Sequence, residues 1–138
     1  MKRYVLFDHT ADLGIEIYGA DMKTLFENAA FALYDIMTDL DSVGTGETGE
    51  IVAEGTDRED LLVNYLRESL HAFNGKGLLL KEQAITAMDE KHLVATFRGE
   101  FFDPERHRLD KEIKAVTYYG AEVKQTPRGW VARLIMDV

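Results

Sequence analysis

Asp21-Met22-Lys23-Thr24-Leu25-Phe26-Glu27-Asn28-Ala29-Ala30-Phe31-Ala32-Leu33-Tyr34-Asp35-Ile36-Met37 is the stretch that decides the fold class. Met22, Leu25, Phe26, Ala29, Ala30, Leu33, Ile36 and Met37 recur at the i, i+3, i+4, i+7 spacing that gathers side chains on one helix face. Asp21 stands where its carboxylate can accept from the orphan N–H groups of the first turn. Downstream, Leu61, Leu62, Tyr65, Leu66, Leu70 and Phe73 repeat the pattern and predict a second helix. Thr56-Asp57-Arg58-Glu59 reads as its capping box, with Thr56 and Glu59 each satisfying the other's backbone donor. Asn74-Gly75-Lys76-Gly77 supplies the residues tolerant of positive φ that end it.

Around these helices the period changes to two. Ile15 and Ile17 alternate with Glu16 and Tyr18, and Ile51 and Ala53 with Glu50 and Glu54. Leu78 to Ala87 leans toward strand, and Leu93, Ala95 and Phe97 alternate with polar neighbours after a turn at Asp89-Glu90. Ile113 to Lys124 and Trp130 to Met136 are predicted as a hairpin closed by Thr126-Pro127-Arg128-Gly129. Asp41 to Gly49, with its glycines, is predicted as a flexible loop. Both helices lie in the first half and strands dominate the second, so the chain is α+β, with antiparallel sheet.

Nothing divides the 138 residues, and 1–138 is expected to be a single domain. A chain of this length buries roughly two-thirds of its unfolded surface, enough for a core without disulfides. It has no cysteine, which excludes thiolate zinc sites, Fe–S clusters and a cysteine nucleophile, and fits a reducing, cytoplasmic setting. The apolar N-terminal run stops at Asp8, short of a signal-peptide core, and no apolar run approaches the ~20 residues that span a membrane. Lysine and arginine number 16 against 25 aspartates and glutamates, leaving a net charge of −9. Phosphate attraction supplies most nucleic-acid affinity, so stable binding to bare RNA or DNA is not expected; a cation or a basic protein is the more natural partner.

Gly44-Thr45-Gly46-Glu47-Thr48-Gly49 lacks the Gly-Lys-Ser/Thr ending of a phosphate loop. His9, His71, His92 and His107 share no i, i+3 or i+4 spacing, so no histidine zinc site is indicated. Asp8-His9-Thr10-Ala11-Asp12 is the most loaded segment; Asp8 and Asp12 would share a face of an extended chain, or the segment is a polar turn bonded to its own backbone. Asp137 precedes Val138, so a side-chain carboxylate and a terminal carboxylate stand side by side. Held in place by a packed strand they would suit a hard divalent ion; otherwise they are a solvated tail. In Asp103-Pro104-Glu105-Arg106-His107 the histidine could act as a base or meet a partner. Lys114, inside the apolar Ile113-Lys114-Ala115-Val116-Thr117, either snorkels to water or pairs with a buried acid.

Taken in order, Asp8-His9-Thr10-Ala11-Asp12, Ala32-Leu33-Tyr34-Asp35-Ile36-Met37, Asp103-Pro104-Glu105-Arg106-His107, Lys114-Ala115-Val116-Thr117-Tyr118 and Asp137-Val138 resemble the archease family over essentially the whole chain. The resemblance implies a compact α+β domain that is not itself an enzyme but activates an RtcB-type RNA-splicing ligase. That ligase joins RNA ends using GTP and manganese through a guanylylated histidine, in tRNA splicing or RNA repair. It further implies a divalent-metal site at Asp12, Asp137 and Val138, holding calcium, magnesium or manganese. Asp8, His9, Asp35, His107 and Lys114 are implied as residues that support the site or touch the partner. Asp8 stands where archeases also carry glutamate and ranks below Asp12, and Tyr118-Tyr119 replaces a frequent Tyr-His. An independent metal phosphatase or nuclease and a general holdase are the rival readings. The first would need more inward-facing acids, the second a large exposed apolar patch.

Overall fold

A computed structural model describes residues 2–9 and 11–138, with His9 described by its backbone alone. The predicted helices are present as α1 (Met22–Met37) and α2 (Arg58–Lys76). Among the described residues there are seven strands: β1 (Tyr4–His9), β2 (Asp12–Gly19), β3 (Glu47–Glu54), β4 (Leu78–Met88), β5 (His92–Phe101), β6 (Ala115–Thr126) and β7 (Gly129–Asp137). They form two antiparallel sheets, one ordered β1-β2-β7-β6 and the other β3-β5-β4.

The helices form the middle layer. α1 packs on β2 of the first sheet and β4 of the second, while α2 packs on β6, β3 and β4. Cover from both sides explains why α1 buries Ala32 and Tyr34 in addition to most of its apolar stripe. Tyr34 can be buried because its hydroxyl donates to the Ser69 carbonyl of α2 at 2.6 Å, and burial holds the phenol well above its ordinary pKa. On β2 the alternation is clean: Ile15 and Ile17 are fully buried against the helices, and Leu13 packs on the same core.

Four local expectations are corrected. The cap of α2 is one residue later than read: Asp57, not Thr56, is the N-cap, and its carboxylate accepts from the Asp60 N–H at 2.8 Å. Asp60 reaches back to the Thr56 N–H at 2.9 Å, one residue before the cap, so two aspartates brace the helix start without the reciprocal pair of a capping box. Glu59 is drawn away because its carboxylate accepts from the Val123 N–H of β6 at 3.0 Å, a tertiary bond that local spacing does not reveal. Asp57→Ala is expected to cost about 1 kcal/mol, read as a fall of roughly 3–4 °C in Tm. Thr56→Ala should be near neutral, because that hydroxyl makes only a 3.3 Å exposed contact to Asp60.

The stretch Asp41 to Gly49 is tied down instead of loose. Leu40–Ser42 forms a 3-10 turn capped by Asp39, the Gly44 N–H donates to Glu100 at 2.5 Å, and β3 already begins at Glu47. The predicted strand from Ile113 starts at Ala115, and Lys114 is an exposed residue just before it. The fourth correction concerns Asp8 and falls within the site below. The end of α2 follows expectation, with Gly77 at φ 72 closing the helix. The Thr126–Gly129 hairpin and the turn at Asp89-Glu90 are also as read.

Candidate metal centre

The ladders of the first sheet bring the sequence-distant acids together. β1 pairs His9 with Asp12, β2 pairs Leu13 with Met136, and β6 pairs Ala115 with Asp137. The β2–β7 register, carried one residue further, sets Asp12 opposite Asp137. One row therefore crosses all four strands at one end of the sheet: His9, Asp12, Asp137, Ala115. Residues directly opposite on neighbouring antiparallel strands share a face, with Cβ atoms roughly 4.5–5.5 Å apart. Leu13, Ile15 and Ile17 point into the core, so Asp12 and Asp137 stand on the outer face. Asp137 is exposed and Asp12 half-buried.

That end of the sheet is held firmly. The Lys114 N–H donates to the Asp137 carbonyl at 2.7 Å, and the Val138 side chain packs against the core. Next to the row, the Phe7 ring lies over Gly14, where any Cβ would collide with it. Arg133 stacks 4.2 Å from the Phe7 ring centroid and its Nε lies 3.2 Å from Glu16. Ala11 closes the turn before Asp12 at φ 63, a left-handed conformation that costs a non-glycine residue about 1–2 kcal/mol. Strain of this kind immediately before a candidate ligand is common at functional sites.

The remaining sequence candidates are dispersed. Asp8 pairs with Leu13, so it lies on the helix-side face, opposite to Asp12; the hairpin between them breaks the extended-chain parity on which their common face depended. The side chain of His9, and Thr10 entirely, lie outside the described residues. Asp35 accepts from the Tyr4 hydroxyl at 2.6 Å; burial first, then this bond, pushes the Tyr4 phenol far up. Tyr4 sits five rungs from His9, about 16 Å along the strand at its usual rise, so the structure does not gather Asp35 with Asp12. His107 is buried, with Nδ1 accepting from the Asp103 N–H at 2.8 Å and Nε2 facing Glu100 at 3.1 Å. Since Nδ1 accepts, the ring proton sits on Nε2 and is given to the Glu100 carboxylate. Glu100 also takes Arg106 and the Gly44 N–H, so this cluster braces two loops. Lys114 remains exposed beside Asp137.

Among the described residues no three His, Cys, Asp or Glu side chains converge on one point. The carboxylates that the ladder brings nearest are those of Asp12 and Asp137, one rung beyond the Leu13–Met136 pair. An all-oxygen set of this kind fits a hard cation and not a thiophilic one. A cleft of about 440 Å³ lies at the other end of the first sheet between Trp130, Met88 and Arg58, away from these carboxylates. Sequence reading missed a second groove, about 390 Å³, between α2 and the start of β6, where Arg67, His71, Asn74 and Lys114 converge. The i, i+4, i+7 spacing of Arg67, His71 and Asn74 was the available signal.

Residues 4–138 match the Archease protein family (MTH1598/TM1083). The chain is 37% identical to the protein archease of Pyrococcus abyssi and 33% identical to that of Sulfurisphaera tokodaii, with each aligned over 100% of both chains. Its fold superposes on the solution structure of protein 1598 from Methanobacterium thermoautotrophicum with a TM-score of 0.83, at 35% identity over the whole of both chains. A two-helix layer between antiparallel sheets and full-length similarity of this degree agree: the chain belongs to the archease family.

Proposed function

We propose that this archease is a non-catalytic activator of an RtcB-type RNA ligase, promoting its guanylylation and repeated turnover in tRNA splicing or RNA repair. The activating part is a divalent cation held by Asp12, Asp137 and the Val138 α-carboxylate. What supports the reading is the β2–β7 register, which, carried one residue beyond the Leu13–Met136 pair, brings Asp12 and Asp137 opposite each other on the face turned away from the helices. Like charges directly opposite on a sheet repel unless a cation intervenes. A hard divalent ion with three protein oxygens keeps further coordination positions for water or a partner's groups. Calcium, magnesium and manganese all suit the donor set.

The chain's own residues do the positioning. The ladder aligns Asp12, the Lys114 N–H holds the last rung, and the Val138 side chain packs against the core. Asp8, His9, Asp35, His107 and Lys114 serve the partner encounter or brace the framework, His107 through Glu100 and Asp35 through Tyr4. The net charge of −9 favours docking to the basic RNA cleft of a ligase over binding RNA itself. Freedom from cysteine suits a cytoplasmic place of work, and among the described residues no helix is long and apolar enough to cross a membrane.

The test is labelling of the cognate ligase by radioactive GTP under limiting manganese. Wild type should accelerate the label and Asp137→Ala should not. Equal acceleration by both would keep the partner and remove the metal row from the account; no acceleration by either would remove the partner. A short Gly-Ser extension after Val138, which moves the terminal carboxylate away, is expected to weaken cation binding while leaving the fold intact.

A further inference from the structure

On the opposite side of the same sheet end lies a groove of about 390 Å³ whose lining includes no carboxylate. Its walls come from one face of α2, where Arg67, His71 and Asn74 follow i, i+4, i+7, and from Lys114 to Thr117 at the start of β6. In a chain carrying nine more negative than positive charges, such a lining is conspicuous. Four of the eight arginines are committed to acids: Arg58 to Glu90, Arg106 to Glu100, Arg108 to Asp110 and Arg133 to Glu16. Among the described residues, Arg67 and Lys114 have no such acidic partner.

The groove is also built. Arg67 donates from Nε to the Val116 carbonyl at 2.9 Å, which lays the guanidinium along the floor and leaves its outer N–H groups to a ligand. Asn74 donates to the Ile113 carbonyl at 3.3 Å and ties the Lys114 segment to the helix. Gly75 explains the placing of His71. A glycine inside a helix costs about 1 kcal/mol relative to alanine, and here a Cβ would lie 2.7 Å from His71 Cε1. The imidazole occupies the space that the missing side chain leaves.

We propose that this groove is a phosphate-binding subsite, taking a phosphate monoester or anhydride between the Arg67 fork, His71 and the Lys114 ammonium. Phosphate matches a bidentate guanidinium flanked by point donors. No Phe, Tyr or Trp lines the groove to stack a base, so recognition is of the phosphate and not of a nucleoside. The subsite uses none of the row carboxylates and stands or falls separately from the metal reading.

The test is a 15N–1H NMR titration of the full chain in EDTA at constant ionic strength, with inorganic phosphate, pyrophosphate and a nucleoside monophosphate as probes. Saturable shifts are expected at residues 67, 71, 74 and 114–117. Pyrophosphate should bind more tightly than phosphate, and the monophosphate no more tightly than phosphate. Lys114→Gln, whose side chain makes no intramolecular bond among the described residues, and Arg67→Gln should each weaken pyrophosphate about tenfold, the worth of one charge-assisted hydrogen bond. Gly75→Ala should weaken it by displacing His71. Non-saturating shifts, shifts spread equally over other surface lysines, or wild-type affinity in a folded Lys114→Gln would each overturn the proposal. A monophosphate that binds far above phosphate would overturn recognition of the phosphate alone.

Discussion

Calcium at about a hundred times its dissociation constant is expected to stabilise the wild-type protein by ~2.7 kcal/mol, the mass-action value for a ligand that binds only the folded state. For a chain of this size that is a rise of roughly 8–10 °C in Tm. Asp137→Asn should abolish nearly all of the shift, because it removes one of the two side-chain carboxylates of the proposed site, and no cluster of three or more ligand side chains stands among the described residues to replace it. The same variant has a second signature of opposite sign. Without metal it should be a few tenths of a kcal/mol more stable than wild type, since the repulsion across the Asp12–Asp137 rung is relieved. Asp12→Asn should lose the calcium response likewise, whereas Asp8→Asn should keep it, because Asp8 projects from the other face. Thermal melts with and without calcium, paired with calorimetric titration, read all of these. A full calcium shift in Asp137→Asn would refute the metal row.

The other large effect lies far from any ligand. Gly99 is buried in β5, the central strand of the second sheet, paired to Leu80 on one side and Glu47 on the other. A Cβ there would strike the Leu79 carbonyl oxygen and lie 3.1 Å from Leu80 Cα. Both are backbone atoms in a paired strand and cannot swing aside as a side-chain tip would. Gly99→Ala is therefore expected at the upper end of overpacking costs, about 3 kcal/mol, or roughly 10 °C in Tm. Gly46→Ala is the internal comparison, since nothing lies within 4 Å of a Cβ at that position. It should change stability by less than ~0.5 kcal/mol. Denaturant unfolding of both variants decides the matter, and similar midpoints would show that β4 and β5 yield more readily than their close approach implies.

The amino-acid sequence alone determined what depends on neighbours a few residues apart. Periods of 3.6 and 2 separated the helices from the strands, Gly77 ended α2, and Thr126 to Gly129 turned the last hairpin, because each rests on local backbone geometry. The single α+β domain followed from the order of those elements, and the family from motifs spread over the chain. Local spacing failed where a distant group competed for the same atoms. Glu59 left its capping role for the Val123 N–H on β6, and Glu100 drew Gly44 out of a nominal loop. Asp8 lost its common face with Asp12 because the parity of an extended chain does not survive a hairpin. Only the tertiary structure showed which strands carry the acids side by side. Asp12 and Asp137 stand at opposite ends of the sequence, and a one-residue change in the β2–β7 register would turn one of them to the core. That register is set by Ile15, Ile17, Leu134 and Met136, whose burial permits one alignment of the two strands. The acidic row is thus a consequence of core packing on the other face of the same sheet.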